Sequence, residues 1–296
     1  MASLAVTKCQ SAGNDFVLLD RTSGFRLNYP ELAQTLCDRH FGVGGDGLLV
    51  LERPADPRSD VAMLIFNADG SQAEMCGNGV RCVARFLRDR RQGSPQRLAI
   101  ETTAGVVHTE MTAGAAQFAV RVALSAPDEI RSYGTDVVAG VPAQLADVVI
   151  GNPHRVVFVD LDLMTIDLAA FAKEAESDGV FPNGANVEAA RIFEDGPIAM
   201  RVFERGVGET LGCGTGACAV AVAAIEMERA ASPVRVTMQG GEVTVEWAGA
   251  GEPVYLTGGA ELVFDTQVDV PSELVIPVRA ADGLAPDAAA SAAPAM

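Results

Sequence analysis

The sequence predicts an α+β protein of two pseudo-symmetric lobes, each a strongly curved, mostly antiparallel, β-barrel-like sheet wrapped around a central helix. Three observations carry this. The chain repeats itself: "GNDFVLLD" at 13–20 resembles "GNPHRVVFVD" at 151–160, "FGVGGDGLLVLE" at 41–52 resembles "FPNGANVEAARI" at 181–192, and "MLIFNADGSQAEMCGNG" at 63–79 resembles "MRVFERGVGETLGCGTG" at 200–216. The order is the same in both halves, and Met63/Met200, Phe66/Phe203 and Cys76/Cys213 share one offset of 137. Such self-similarity marks a duplicated structural unit. Short apolar runs bounded by Gly, Pro, Asn or Asp recur throughout, as strands do. Finally, each half holds one Cys-Gly-x-Gly at the mouth of a helical segment.

The elements follow in chain order. "DFVLLD", "GLLVLE" and "VAMLIF" read as strands. "VRCVARFLRDR" at 80–90 has apolar residues at 80, 83, 86 and 87, the spacing of a helix with its arginines on the other face. The stretch 129–144 reads as the crossing between lobes. "ACAVAVAAIEMER" at 217–229 is apolar nearly all round, so its helix is expected to be buried. "PVRVTMQGGEVTVEWAG" alternates like a hairpin around Gly-Gly, and "ELVFDTQVDV" at 261–270 is expected to return to the first lobe. The expected division is residues 1–126 plus 261–280 for the N-terminal lobe and 127–260 for the C-terminal lobe. The Ala/Pro-rich 281–296 is read as a disordered tail.

Composition bounds the function. The 296 residues carry a net charge of −17, with 49% hydrophobic residues and only Lys8 and Lys173 as lysines. This argues against nucleic acid or an anionic membrane as a partner, since both call for clustered cations. No apolar run is long enough to span a membrane, and the N-terminus does not read as a secretory signal. Six cysteines in a chain of this length are not a disulfide framework, so a reducing cytoplasm is expected. Cys9, Cys37, Cys82 and Cys218 read as packing residues. Cysteine spacing and three histidines do not suit a zinc site. "GVGGDG" at 42–47 follows a helix and precedes a strand, the reverse of a dinucleotide fingerprint. It reads as a helix end and turn.

Cys76 and Cys213 are different. A helix N-terminus presents unpaired N–H groups and partial positive charge. A cysteine there is expected to have its thiolate favoured, and the same N–H groups can hold a carboxylate. Glycine lets a ligand approach the backbone closely. Two such units facing one carbon suit abstraction of an α-proton on one side and its delivery on the other.

The motifs "GNDF", "NADGS-x-x-EMCGNGxRC", "GNPH", "NVE", "ERGxGET-x-x-CGTGA" and "YLTG", in this order over residues 4–270, resemble the diaminopimelate epimerase family. The resemblance implies a cofactor-independent enzyme that interconverts LL- and meso-diaminopimelate for lysine and peptidoglycan precursors. It needs no metal and is expected to be a homodimer. Cys76 and Cys213 would be the acid/base thiols. Gly77, Asn78, Gly214 and Thr215 would hold the reacting α-carboxylate. Asn67, Asn152, Asn186 and Arg205 would grip the distal end, and Asn14 would line the site. Glu204 and His154 would bind the α-ammonium or orient the thiols. Four positions depart from the family's common pattern: Ser11 for Gly, Gly47 for Gln, Arg155 for a small apolar residue, and Phe264 for a tyrosine linked to dimer contacts. Arg155 is expected to add a charge near the cleft. The alternatives are a proline-, hydroxyproline- or histidine-type racemase, a binding protein on the same scaffold, and a thiol redox protein.

Overall fold

The computed structural model describes residues 2–22, 27–90, 95–113, 118–194 and 196–274. The expected tail, 281–296, lies outside them. The first half runs β1 (Ala2–Ser11), β2 (Asn14–Asp20), α1 (Tyr29–Cys37), β3 (Gly47–Glu52), β4 (Val61–Asn67), β5 (Gln72–Ala73), α2 (Gly77–Arg90), β6 (Arg97–Thr102), β7 (Gly105–Ala113), β8 (Phe118–Leu124) and β9 (Glu129–Val138). The second runs β10 (Val141–Ile150), β11 (Asn152–Val159), α3 (Leu168–Ala175), β12 (Asn186–Ile192), β13 (Ile198–Glu204), β14 (Gly208–Thr210), α4 (Gly214–Glu226), β15 (Val234–Met238), β16 (Gly241–Trp247), β17 (Val254–Gly258) and β18 (Glu261–Val270).

The repeat seen in the sequence is a repeat of pairing. β2 pairs parallel with β3 through Phe16 and Gly47, and β11 pairs parallel with β12 through His154 and Asn186. β4 pairs parallel with β6, as β13 does with β15. The remaining pairings are antiparallel. The fold is α+β, with two pseudo-symmetric lobes, each a curved sheet around a central helix. The last strand of each repeat pairs with the first strand of the other: β9 with β10, and β18 with β1. β8 also pairs with β17. No helix among the described residues is long and apolar enough to cross a membrane.

One segment refines the sequence reading and one residue corrects it. Residues 129–144, read as the crossing between lobes, link the two halves as a hairpin. They are β9 and the start of β10, joined by Ala139 and Gly140, both at positive φ. That is the backbone a two-residue hairpin turn needs. The arginines of α2 are not all on a solvent face: Arg81 is fully buried. Other expectations can be compared directly. α4 is buried from Gly216 to Ala224, its small side chains letting the sheet wrap closely. α1 ends at Cys37 with Asp38 as its C-cap, so "GVGGDG" is not the helix end but the turn that follows, where the N–H groups of Val43 and Gly44 bond back to the Leu36 carbonyl before β3 begins. Cys9, Cys37, Cys82 and Cys218 are buried, and burial pushes the Cys37 and Cys218 thiols up to about 12.

The β1–β2 hairpin turns at Ala12 and Gly13, both at positive φ. A Cβ on Gly13 would meet the Gly240 Cα at 2.8 Å, so the turn is packed directly against the second lobe. An ion network fixes the other side of this hairpin. Lys8 and Arg39 both bond Asp15, with Arg39 at 2.7 and 3.1 Å, and Arg39 also reaches Asp46 at 2.8 Å. Burial alone would raise the Asp15 carboxyl, but the Arg39 and Lys8 hydrogen bonds outweigh it and hold it from its ordinary 3.8 down to about 2. A depressed carboxylate stabilises the fold fully above its unfolded pKa and loses that contribution as pH falls through its folded pKa. Asp15→Asn is therefore expected to cost on the order of 2 kcal/mol near neutrality. Urea denaturation between pH 7 and 2 checks this: the gap between variant and parent closes as pH falls from about 4 to 2.

Candidate active site

Each cysteine caps its helix. The Cys76 carbonyl accepts the first α2 bond from the Val80 N–H at 2.9 Å, and the Cys213 carbonyl accepts the first α4 bond from Ala217 at 3.0 Å. Cys213 Sγ accepts from the Gly216 N–H at 3.5 Å and sits 3.4 Å from Thr215 Oγ1. The Asn78 and Gly79 N–H groups play the matching part for Cys76. The last residue of each Cys-Gly-x-Gly allows no side chain. A Cβ on Gly79 would meet Leu49 at 2.9 Å, and one on Gly216 would meet Glu188 Oε1 at 2.6 Å.

The two helix mouths meet. Leu256 of β17 lies 3.8 Å from a Cβ position on Gly77 and 3.2 Å from one on Gly214. Asn78 Oδ1 reaches across to 3.6 Å from the same point on Gly214. Cys213 and Asn78 are buried, whereas Cys76 is half-buried.

Glu204, at the end of β13, faces both thiols. It accepts from Thr210 Oγ1 at 2.5 Å and from the Cys213 thiol. Desolvation raises its carboxyl, with the Glu188 charge adding to the rise. Its own charge raises both thiols. The sequence predicts favoured thiolates, and the helix N–H groups do act in that direction. Desolvation outweighs them: Cys76 is raised, and Cys213 is raised well above its ordinary value. The reason is physical. A helix terminus favours an anion by a modest amount, while removing a thiolate from water can shift its pKa by several units.

His154 is fully buried, bonding Glu188 Oε1 through Nδ1 at 2.7 Å and Asn152 Oδ1 through Nε2 at 3.0 Å. Asn186 lies beside His154 in the parallel β11–β12 pair, and its Oδ1 accepts from the Arg205 N–H at 2.9 Å. The Arg205 guanidinium donates to the Asn183 and Gly184 carbonyls at 3.3 and 3.2 Å. Asn14 Oδ1 is buried with no hydrogen-bond partner, a free acceptor beside the hairpin turn. Asn67, opposite Gly47 in the β3–β4 pair, is exposed and donates to Ser71 Oγ at 2.9 Å. No hydrogen bond among the described residues ties Asn67 or Asn14 to the thiols. Among the described residues, no three of His, Cys, Asp and Glu are grouped to hold a metal ion.

The departures gain explanations. A Cβ on Gly47 would lie 2.8 Å from the Phe66 carbonyl, so β3 and β4 are built here around glycine. Arg155 does not charge the cleft. His154 precedes it on β11, so the two side chains leave opposite faces of the sheet. Arg155 is buried against α3, paired with Asp147 at 2.8 and 2.9 Å and with Asp178 at 2.6 Å, and bonded to the Ala175 carbonyl. Phe264 and its neighbour Val263 are exposed on β18.

Sequence reasoning missed two residues here. Glu188 was visible only as part of "NVE", with nothing to say that it stands between His154 and the mouth of α4. Arg81 was assigned to a polar helix face. Its signal was its place one turn after Cys76, where an arginine must share the helix mouth rather than reach solvent.

The model of the diaminopimelate epimerase family matches residues 6–127 and 147–263. A diaminopimelate epimerase of Pseudomonas fluorescens (strain Pf0-1) is 39% identical over 274 residues, covering 90% of this chain and 99% of its own. One from Azoarcus sp. (strain BH72) is 41% identical over 274 residues, covering 90% and 98%. Among solved structures, a phenazine biosynthesis protein of the PhzF family from Bacillus anthracis superposes with a TM-score of 0.68 at 17% identity, covering 91% of this chain and all of that one. A hydroxyproline epimerase from Agrobacterium vitis gives 0.61 at 16% identity, covering 92% and 97%. These two likenesses extend to the fold. The sequence matches go further: the chain belongs to the diaminopimelate epimerase family.

Proposed function

We propose that the chain is an isomerase, a diaminopimelate epimerase that interconverts the LL and meso forms in lysine and peptidoglycan precursor synthesis. The observation that carries this is the meeting of two cysteine-capped helix mouths at Leu256, with Glu204 facing both sulfurs. One cysteine, as thiolate, takes the α-proton and becomes a thiol. The electron pair left on the α-carbon is delocalised into the carboxylate, held by the N–H groups at Gly77, Asn78, Gly214 and Thr215. The other cysteine, as thiol, gives its proton to the opposite face and becomes the thiolate. The product has inverted configuration, and the pair has exchanged protonation states.

The raised thiols fit this cycle. In the free protein the Glu204 charge opposes both thiolates. An α-ammonium docked against Glu204 would cancel that opposition, so substrate binding itself would free the base. Arg205, with Asn67, Asn152 and Asn186, would take the distal carboxylate, and Asn14 Oδ1 would accept from an ammonium. His154, fixed by Glu188, would hold Asn152 in place. Because Cys213 is buried, the lobes, taken as 1–126 with 261–280 and 127–260, would open to admit substrate. The exposed Val263 and Phe264 make β18 the proposed homodimer face, and six unpaired cysteines suit the cytoplasm.

In D₂O, deuterium is expected to enter diaminopimelate at one α-carbon only, followed by mass spectrometry or proton NMR. Cys76→Ser and Cys213→Ser are each expected to slow interconversion by a hundred-fold or more, on the order of a lost acid/base group. Exchange with another amino acid, and none with diaminopimelate, would keep the mechanism and move the substrate. No exchange with any amino acid would leave a binding protein. Glu204→Gln separates the two effects of that carboxylate. Alkylation of Cys76 and Cys213 at fixed pH is expected to become faster, because the opposing charge is gone. Epimerisation is expected to fall by on the order of a hundred-fold, because the ammonium has lost its partner.

A further inference from the structure

Arg81 is a fully buried cation without a carboxylate partner among the described residues. Its Nε donates to Ser11 Oγ at 2.9 Å, and one terminal nitrogen donates to Asn78 Oδ1. Its other terminal nitrogen, Nη1, is buried with no partner. Ser11 in turn donates to the Gly259 carbonyl at 2.6 Å. A Cβ on Gly258 would meet the guanidinium at 3.2 and 3.3 Å, so β17 needs glycine to make room for it. A buried charge left unpaired is costly, and mutual neutralisation by a neighbouring acid is the usual remedy. Here the described neighbours are a hydroxyl and an amide, and the charge stays net positive.

Its position gives a reason. Arg81 touches Asn78, whose Oδ1 reaches the mouth of α4 at Gly214. Its charge acts on Cys76 of its own helix mouth and on Cys218 inside α4. It therefore lies where both helices converge. We propose that Arg81 is the counter-cation of the Cys76 side of the two-thiol site, a positioning residue. Ser11 and Asn78 hold it behind both helix mouths, where it fixes the Asn78 amide. Its charge offsets the negative charge that the Cys76 thiolate and a substrate carboxylate bring. This rests on the two-thiol reading above. Ser11, standing where related sequences often carry glycine, supplies the Nε acceptor and makes the anchoring a property of this chain.

The groups facing Cys76 are Arg81 from α2 and Glu204 from β13. Cys213 faces Glu204 and Glu188. The test uses the full chain with Cys213→Ser, so that Cys76 is the remaining site thiol. Iodoacetamide alkylation of Cys76 is followed by peptide mass spectrometry across pH, with melting curves to track folding. Arg81→Gln keeps an amide donor for Asn78 but loses the charge, and it is expected to slow alkylation about ten-fold at a fixed pH below the thiol midpoint. Arg81→Lys keeps the charge and is expected to stay within about two-fold of the parent. If the glutamine chain does not fold, Arg81→Met takes its place with the same expectation, since a buried charge exchanged for an apolar side chain is often tolerated. Parent-like rates in the neutral variant would overturn the proposal. So would equal slowing in the neutral and lysine variants, which is the mark of a packing role. The readout needs no substrate, so it decides on Arg81 even if diaminopimelate proves to be the wrong one.

Discussion

The structure depends on the contact between two helix mouths. Gly77 and Gly214 lie against the same Leu256 side chain, and Asn78 bridges the gap. Everything else arranges that contact. The small residues of α4 let the second sheet close around it. Gly79 and Gly216 let each helix enter beneath Leu49 and Glu188. β9 and β18 tie each repeat to the start of the other, and the β8–β17 pair joins the lobes directly. A duplicated unit would otherwise be two separate lobes. Interleaved strands make the distance between two catalytic-type thiols a property of the whole sheet.

Charge in this region is organised by burial. Glu204 and Glu188 put negative charge on the β12–β13 side of the thiols, and Arg81 of α2 brings positive charge to bear on Cys76. Water is largely excluded, so these charges act at short range with little screening. The helix termini alone do not produce free thiolates in the empty site. Desolvation dominates, and in the proposed cycle the balance would tip when a ligand brings a compensating cation to Glu204. In the proposed cycle such a site would keep its base masked until substrate arrives, which would protect both thiols from adventitious reaction.

The fold was largely legible in the sequence because a repeat is a long-range signal. One offset of 137 between Met63/Met200 and Cys76/Cys213 specified two equivalent units, and the buried helix was plain from "ACAVAVAAI". The 129–144 hairpin was missed because Ala-Gly is a weaker turn signal than Asn-Gly, although both residues do adopt positive φ. At the site, the cysteines, their glycines and Glu204 were readable from motif and register. Arg81 and Arg155 were not. Helical spacing placed Arg81 among exposed arginines, and motif comparison placed Arg155 beside the cleft. Strand alternation sends Arg155 to Asp147 on the far face, and only the three-dimensional neighbours show that Ser11, seventy residues earlier in the chain, receives Arg81.

The central claim is that the two thiols address opposite faces of one α-carbon whose carboxylate rests on both helix mouths. A crystal structure of the chain with bound diaminopimelate tests it most directly. The account predicts the reacting carboxylate within about 3 Å of N–H groups from both helix ends, with the Cys76 and Cys213 sulfurs on opposite sides of the α-carbon. Both sulfurs on one side, or a carboxylate held by one helix alone, would contradict it.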